Sequence, residues 1–182
     1  MKGEFIASKS EHADNIAPAI FGGFCLVKNL QPLNILQLPT PSDLYAIILH
    51  PQIEIKTFES RKILPKMVPL SDVIKQLSNL GGLVHGLHTE NYDLISNSLN
   101  DHIVEVHRSK LIPHFDIIKS KALEAGALGC SISGSGPSIF ALAKGNDLAT
   151  EIELVFKSVY LKSTINFSTY ISKISSNGVV TI

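Results

Sequence analysis

Two apolar runs of strand length, Leu128–Ser133 and Ser138–Ala143, are joined by Gly134-Ser135-Gly136-Pro137, and no other stretch restricts the possible folds as much. Glycine reaches positive φ without a steric penalty, so the two runs can close on each other as an antiparallel hairpin. A turn of this composition can also aim successive backbone N–H groups into one concavity and hold an anion such as phosphate. The residues alone leave a plain glycine-rich turn equally open. The phosphate-loop pattern G-x-x-x-x-G-K-[ST] is absent.

Around this hairpin the apolar period changes along the chain. Ile16–Phe21, then Gly22-Gly23, then Phe24–Val27 and Leu33–Leu38 read as a short helix and two strands, and Leu44–Leu49 reads as a buried strand ending at His50-Pro51. From Thr57 to Ala125 the spacing is helical. A short helix over 57–64 should stop before Pro65. The next should be capped by Ser71, with Val73, Ile74, Leu77, Leu80 and Val84 on its inner face. Two more cover 91–99 and 101–111, and a fifth should open at Pro113 and close at Gly126. A helix over 147–160 and strands over 164–173 and 178–182 complete the chain. Strands separated by helices around a glycine hairpin predict an α+β fold, a sandwich of ferredoxin-like type, with a boundary near 39–42.

A chain of 182 residues suffices for one domain or one and a fraction. Sixteen basic side chains balance sixteen acidic ones, and the basic residues are scattered, so no stripe exists to displace counterions from a nucleic-acid backbone. Nucleic acid is therefore not an expected partner. Every apolar run is interrupted well before membrane-spanning length, and MKGEFIASKSE lacks the apolar core of a secretion signal. The expectation is a soluble, cytoplasmic protein without membrane contact. Cys25 and Cys130 have no C-x-x-C or zinc-ligand spacing, which predicts two reduced thiols.

Three further groups can carry chemistry. His12-Ala13-Asp14-Asn15 puts an imidazole, a carboxylate and an amide just before a Pro- and Gly-punctuated apolar run; a helix cap supplied by Asp14 or Asn15 explains the same residues. Glu4, eight residues before His12, is either a magnesium ligand or an exposed carboxylate. Arg61 and Arg108 are the only arginines beside 14 lysines, and a guanidinium fork binds carboxylate or phosphate bidentately as lysine cannot; the alternative is a solvated helix face. His85 and His88 share a helix face, with no third metal ligand at suitable spacing. Lys119, Lys121 and Glu124 read as an exposed helix face.

In this order the segments SEHADNIAPAIFGGF (10–24), TFESRKILP (57–65), HRSKLIP (107–113) and GCSISGSGPSIFAL (129–142) resemble homoserine kinases, of the GHMP small-molecule kinase superfamily. The resemblance spans nearly the whole chain. It implies a remnant of the N-terminal domain over 1–42, a GHMP kinase C-terminal domain over 43–182, and transfer of the ATP γ-phosphoryl group to the side-chain hydroxyl of L-homoserine. Such a transfer rests on positioning and charge stabilisation more than on covalent chemistry. By the same resemblance, Asn15 would bond the attacking hydroxyl, and His12 and Asp14 would shape the amino-acid pocket. Arg61 and Arg108, with Thr57 beside them, would clamp the α-carboxylate. Ser133, Gly134, Ser135 and Gly136 would line the phosphate side, and Glu4 would hold Mg2+. No side chain is an obvious strong base, which implies catalysis by transition-state stabilisation.

The chain departs from the family in one respect. The superfamily's phosphate-binding motif, P-x-x-x-G-L-G-S-S-A, does not occur, so the backbone amides that cradle the nucleotide are not among these residues. The expectation is the C-terminal portion of such a kinase, inactive alone. It should expose apolar surface around Ile16–Val27 and associate either as a homodimer or with the missing N-terminal portion. Two other readings compete: a non-catalytic amino-acid-binding or regulatory module, and another GHMP small-molecule kinase.

Overall fold

The computed structural model of the protein describes residues 13–180. They fall into two compact units, one drawn from Met1–Ser42 with Ile174–Ile182 and the other from Asp43–Lys173.

In the first unit, helix α1 (Ile16–Phe21) is followed by strands β1 (Phe24–Leu30) and β2 (Leu33–Leu38), which pair as an antiparallel hairpin from Phe24 opposite Leu38 to Leu30 opposite Leu33. The break after α1 needs glycine. Gly22 and Gly23 have φ of 77° and 58°, and a Cβ on Gly22 would lie 2.4 Å from the Asn177 carbonyl carbon. The C-terminal segment lies against this corner, with the Gly23 N–H donating to the Ser175 carbonyl at 2.7 Å and the Val179 N–H to the Ala19 carbonyl at 3.0 Å. The strand expected over 178–182 does not form within the described residues. Its backbone is tied to a helix end, which offers no ladder to extend. Ile20 and Phe21 are exposed.

The second unit runs in the order strand, helices, strand, strand, helix, strand. Strand β3 (Leu44–Pro51) precedes α2 (Thr57–Lys62), α3 (Leu70–Thr89), α4 (Tyr92–Ser98), α5 (Glu105–Arg108) with a 3-10 turn at Ser109–Leu111, and α6 (Phe115–Glu124). Then come β4 (Gly129–Ile132), β5 (Ile139–Lys144), α7 (Asn146–Tyr160) and β6 (Phe167–Lys173). The sheet order is β4-β5-β3-β6, antiparallel throughout. This is the ferredoxin-like arrangement expected from the sequence.

The core follows from two periodicities. Ile47 and Leu49 of β3 and Ile139, Ala141 and Ala143 of β5 alternate toward one face of the sheet. That face is covered by Ile118 and Ala122 of α6 and by Ile152, Phe156 and Tyr160 of α7, all fully buried at helical spacing. Each large apolar side chain withdrawn from water in this way contributes about 1.5–3 kcal/mol. Cys130 is buried in the same layer, and both cysteines are free thiols.

Five local expectations give way to tertiary context. Ser71 lies inside α3, whose N-cap is Pro69. The stripe read as its inner face is largely in water, with Ile74, Leu77 and Leu80 exposed and Val73 and Val84 half-buried. α3 packs instead through its C-terminal half, where Gly82 and Gly86 admit Ser98 and Ile95 of α4 and Leu87 is buried. The continuous helix expected over 101–111 is interrupted at its start. Both carboxylate oxygens of Asp101 accept backbone N–H groups, from Ile103 and Val104 at 2.8 Å and from Glu105 at 3.2 Å, so the first turn is bound to a side chain and α5 begins only at Glu105. Pro113 does not open α6, because His114 takes a left-handed conformation (φ 63°) ahead of Phe115. Finally, Lys119 is not a solvated lysine; it is partly buried and paired with Glu105.

Candidate functional site

In the first unit, Asp14 and Asn15 form the turn that leads into α1. Asn15 occupies the N-cap position without making a side-chain cap bond, and among the described residues Asp14 accepts the Asn15 N–H, at 3.2 Å. Both side chains are exposed. The cap function that sequence alone left open is therefore not what occupies them. His12 and Glu4 lie outside the described residues.

In the second unit, the glycine segment is a tight connection between β4 and β5. The Ser133 N–H donates to the Ser138 carbonyl at 2.8 Å and extends the ladder by one rung, and the Gly136 N–H donates to the Ser133 carbonyl at 3.0 Å. Gly134 (φ 60°) and Gly136 (φ 84°) take the left-handed conformations that the turn requires. A Cβ on Gly134 would meet open space, whereas one on Gly136 would press on Ile112 at 3.1 Å. Among the described residues, the Gly134 and Ser135 N–H groups donate to no backbone carbonyl. The turn and the anion-binding loop are thus compatible readings of one element.

Arg108 lies at the C-terminal end of α5, and its guanidinium reaches across to this loop. Nη1 donates to the Gly134 carbonyl at 2.9 Å and Nε to the Ser60 carbonyl of α2 at 3.3 Å. Arg61, the next residue on α2, carries the second guanidinium. Burial, followed by the positive charge of Arg61, lowers the Arg108 pKa from its ordinary value, and Asp101 acts in the opposite direction. Arginine remains charged under such shifts, so the outcome is two neighbouring cations beside a glycine loop. Thr57 begins the same short helix as Arg61, and its side chain lies outside what the structure describes. The second unit therefore brings together Arg61, Arg108 and residues 133–136, as their spacing on separate segments could not show.

Several contributors carried no local signal. His50 Nδ1 lies 2.8 Å from Ser138 Oγ across 88 residues of chain and supports the far end of the loop. Glu105, buried at 8% exposure, receives Lys119 Nζ on one carboxylate oxygen and Ser131 Oγ on the other, the latter at 2.5 Å. The one available clue was the position of Glu105 a single helical turn before Arg108. Among the described residues there is no cluster of three or more metal-ligating side chains, and no helix long and apolar enough to cross a membrane.

Residues 82–162 match the family described as GHMP kinases C terminal. Homoserine kinase from Chlorobium phaeobacteroides is 41% identical over 180 residues, 98% of this chain and 56% of the relative, and that from Chlorobaculum tepidum is 42% identical over the same shares. The crystal structure of homoserine kinase from Cytophaga hutchinsonii superposes with a TM-score of 0.94 at 49% identity, again covering 98% of this chain and 56% of that one. The chain spans little more than half the length of these relatives. The chain thus carries a GHMP kinase C-terminal domain, and over 98% of its length it is homologous to homoserine kinases.

Proposed function

We propose that the chain supplies the amino-acid-binding part of an ATP-dependent homoserine kinase, which phosphorylates the side-chain hydroxyl of L-homoserine in the route to threonine. The observation that carries this reading is the pairing of Arg61 and Arg108 beside the glycine loop. The charge of Arg61 reaches Arg108 and, after burial, lowers its pKa, and a carboxylate bound by Arg108 would be favoured by both guanidiniums. A sugar or other uncharged alcohol would not.

The Gly134 carbonyl is turned toward Arg108, and in a planar trans peptide the following N–H, that of Ser135, points the opposite way. One peptide unit thus serves the carboxylate clamp on one side and offers a donor to a phosphate oxygen on the other. In the proposed assignment Arg61, Arg108 and Thr57 of the second unit hold the α-carboxylate; for the first unit the family resemblance gives His12 and Asp14 the shaping of the amino-acid pocket, with Asp14 toward the ammonium, and Asn15 the attacking hydroxyl. Ser133, Gly134, Ser135 and Gly136 would face the phosphate of ATP, and Glu4 would hold a magnesium ion that neutralises the phosphate charge. These groups bind, orient and neutralise charge, which is what phosphoryl transfer requires of a protein.

The test has two parts. Calorimetry should show the chain binding L-homoserine, and 3-aminopropanol, which lacks the carboxylate, binding at least about tenfold more weakly. Phosphorus NMR should then detect phosphohomoserine from Mg-ATP and L-homoserine, with the chain alone or with the N-terminal half of the Chlorobium phaeobacteroides relative added. Binding without turnover in either mixture would favour a non-catalytic amino-acid-binding module. Neither binding nor turnover would overturn the reading.

A further inference from the structure

We infer that Glu105, Lys119 and Ser131 form a positioning device that presets the Arg108 guanidinium against the glycine loop before any ligand arrives. This deepens the proposed function and rests on it for the identity of the ligand, though not for the geometry.

The four residues of α5 are too few to hold themselves, since an isolated helical turn is costly to nucleate. Two devices hold it in place. At its N-terminal side, Asp101 accepts the Ile103, Val104 and Glu105 N–H groups. At its inner face, the Glu105 carboxylate is bound by Lys119 of α6 and by Ser131 of β4. Ser131 stands two residues before Ser133, so the same carboxylate ties the turn carrying Arg108 to the strand that leads into the loop. Arg108, three residues after Glu105 and so on the same side of the turn, completes the connection by donating to Gly134.

The energetics point the same way. Desolvating a carboxylate and an ammonium costs several kcal/mol per ion, and apolar residues of similar volume often serve stability as well or better. A buried Glu105–Lys119 pair is therefore weak support for the fold. What it does supply is direction, because a fully bonded carboxylate fixes the α5 backbone against both α6 and β4. Arg108 then keeps two of its donors on Ser60 and Gly134 without having to find them on binding, which reduces the ordering cost of the clamp.

The chain has two arginines, so a proton–nitrogen spectrum of the arginine Nε–Hε groups contains two side-chain signals, and Arg61→Lys assigns them. The double variant Glu105→Leu/Lys119→Met removes the ion pair while keeping the volume apolar. The expected result is a folded protein in which exchange of the Arg108 Hε with water accelerates at least about tenfold, because its bond to Ser60 is no longer held. L-Homoserine affinity should fall about tenfold while 3-aminopropanol affinity is unchanged. Should the double variant not fold, Glu105→Gln is read in the same way, since it keeps the shape and loses the charge. An Arg108 Hε signal as protected as in the unsubstituted chain would overturn the inference. Absence of L-homoserine binding by the unsubstituted chain would instead overturn the proposed function, and the exchange measurement would still decide the positioning role.

Discussion

Arg108 donates through Nη1 to the carbonyl of Gly134 at 2.9 Å, joining a one-turn helix to a glycine hairpin 26 residues further along the chain. A guanidinium can make this contact and still present another edge to a ligand; an ammonium reaches its acceptors as a point charge. Arg108→Lys should therefore lower L-homoserine affinity by about tenfold to a hundredfold, the worth of one or two charge-assisted bonds of about 1.5–3 kcal/mol. The thermal midpoint should move by about 2 °C or less, since the core is untouched. Calorimetric titration beside a melting curve checks both numbers.

Two glycines, one opening β4 and one in the turn that follows it, should respond for different reasons and to different degrees. A Cβ on Gly129 would lie 2.5 Å from the Leu99 Cβ in a fully packed layer, so Gly129→Ala should cost about 1–3 kcal/mol. That corresponds to about 2–4 °C of melting temperature per kcal/mol for a chain of this size. A Cβ on Gly134 meets nothing within 4 Å, and only its φ of 60° is unfavourable. Gly134→Ala should cost no more than about 1–2 kcal/mol and show its main effect in loop conformation, read from the amide shifts of residues 133–136. An equal loss of stability at both positions would contradict the packing described for β4.

Tyr160 is fully buried and its hydroxyl donates to the Pro113 carbonyl at 2.7 Å. Burial pushes its phenol up to about 12, from an ordinary value of 10.0. A group whose folded pKa is raised contributes stability that is whole below pH 10 and is lost as pH climbs toward 12, because the unfolded chain releases the proton first. Tyr160→Phe should cost about 1–3 kcal/mol at neutral pH through the unpaired carbonyl, and it should flatten the alkaline limb of the stability profile. Absorbance titration of the four tyrosines should lose its latest step in the variant, while the smaller delay of Tyr92, whose phenol burial also pushes up, remains in both.

At the acid end the corresponding group is Glu153. Its carboxylate accepts bonds from Lys157 at 2.8 Å and from Thr169 of β6 at 2.6 Å, and these hold its pKa below the ordinary 4.5. A depressed carboxylate contributes stability that is present above its unfolded pKa and disappears as pH falls through its folded one. Denaturation by urea at a series of pH values from 7 downward should therefore separate Glu153→Gln from the unsubstituted chain at pH 7 and narrow the gap steadily as pH falls below 4.5. A gap that stays constant over that range would mean that shape rather than charge is what Glu153 provides.

The elements that could be read from sequence are those whose information is local. The continuous apolar run Leu44–Leu49 states a strand and the stretch 147–160 a helix, and β3 and α7 follow them. The glycines at 134 and 136 likewise announce a turn, since few other residues accept their φ. The stripe on α3 shows where this reasoning ends: Ile74, Leu77 and Leu80 form a true apolar face, yet period identifies a face without saying what covers it. The same holds for Asp101, whose side chain competes with the helix it was expected to begin.

The sequence by itself determined the α+β order, the glycine hairpin and the choice of arginine at positions 61 and 108, because each depends on residue type and near neighbours. Tertiary structure alone decided that Arg108 bonds to Gly134, that His50 supports Ser138, and that Glu105 is buried between Lys119 and Ser131. Those contacts join residues 14 to 88 positions apart in the chain. Hydrogen bonds and charge pairs act over a few ångströms of space, and it is the stacking of helices on the β4-β5-β3-β6 sheet that brings such distant residues within that range.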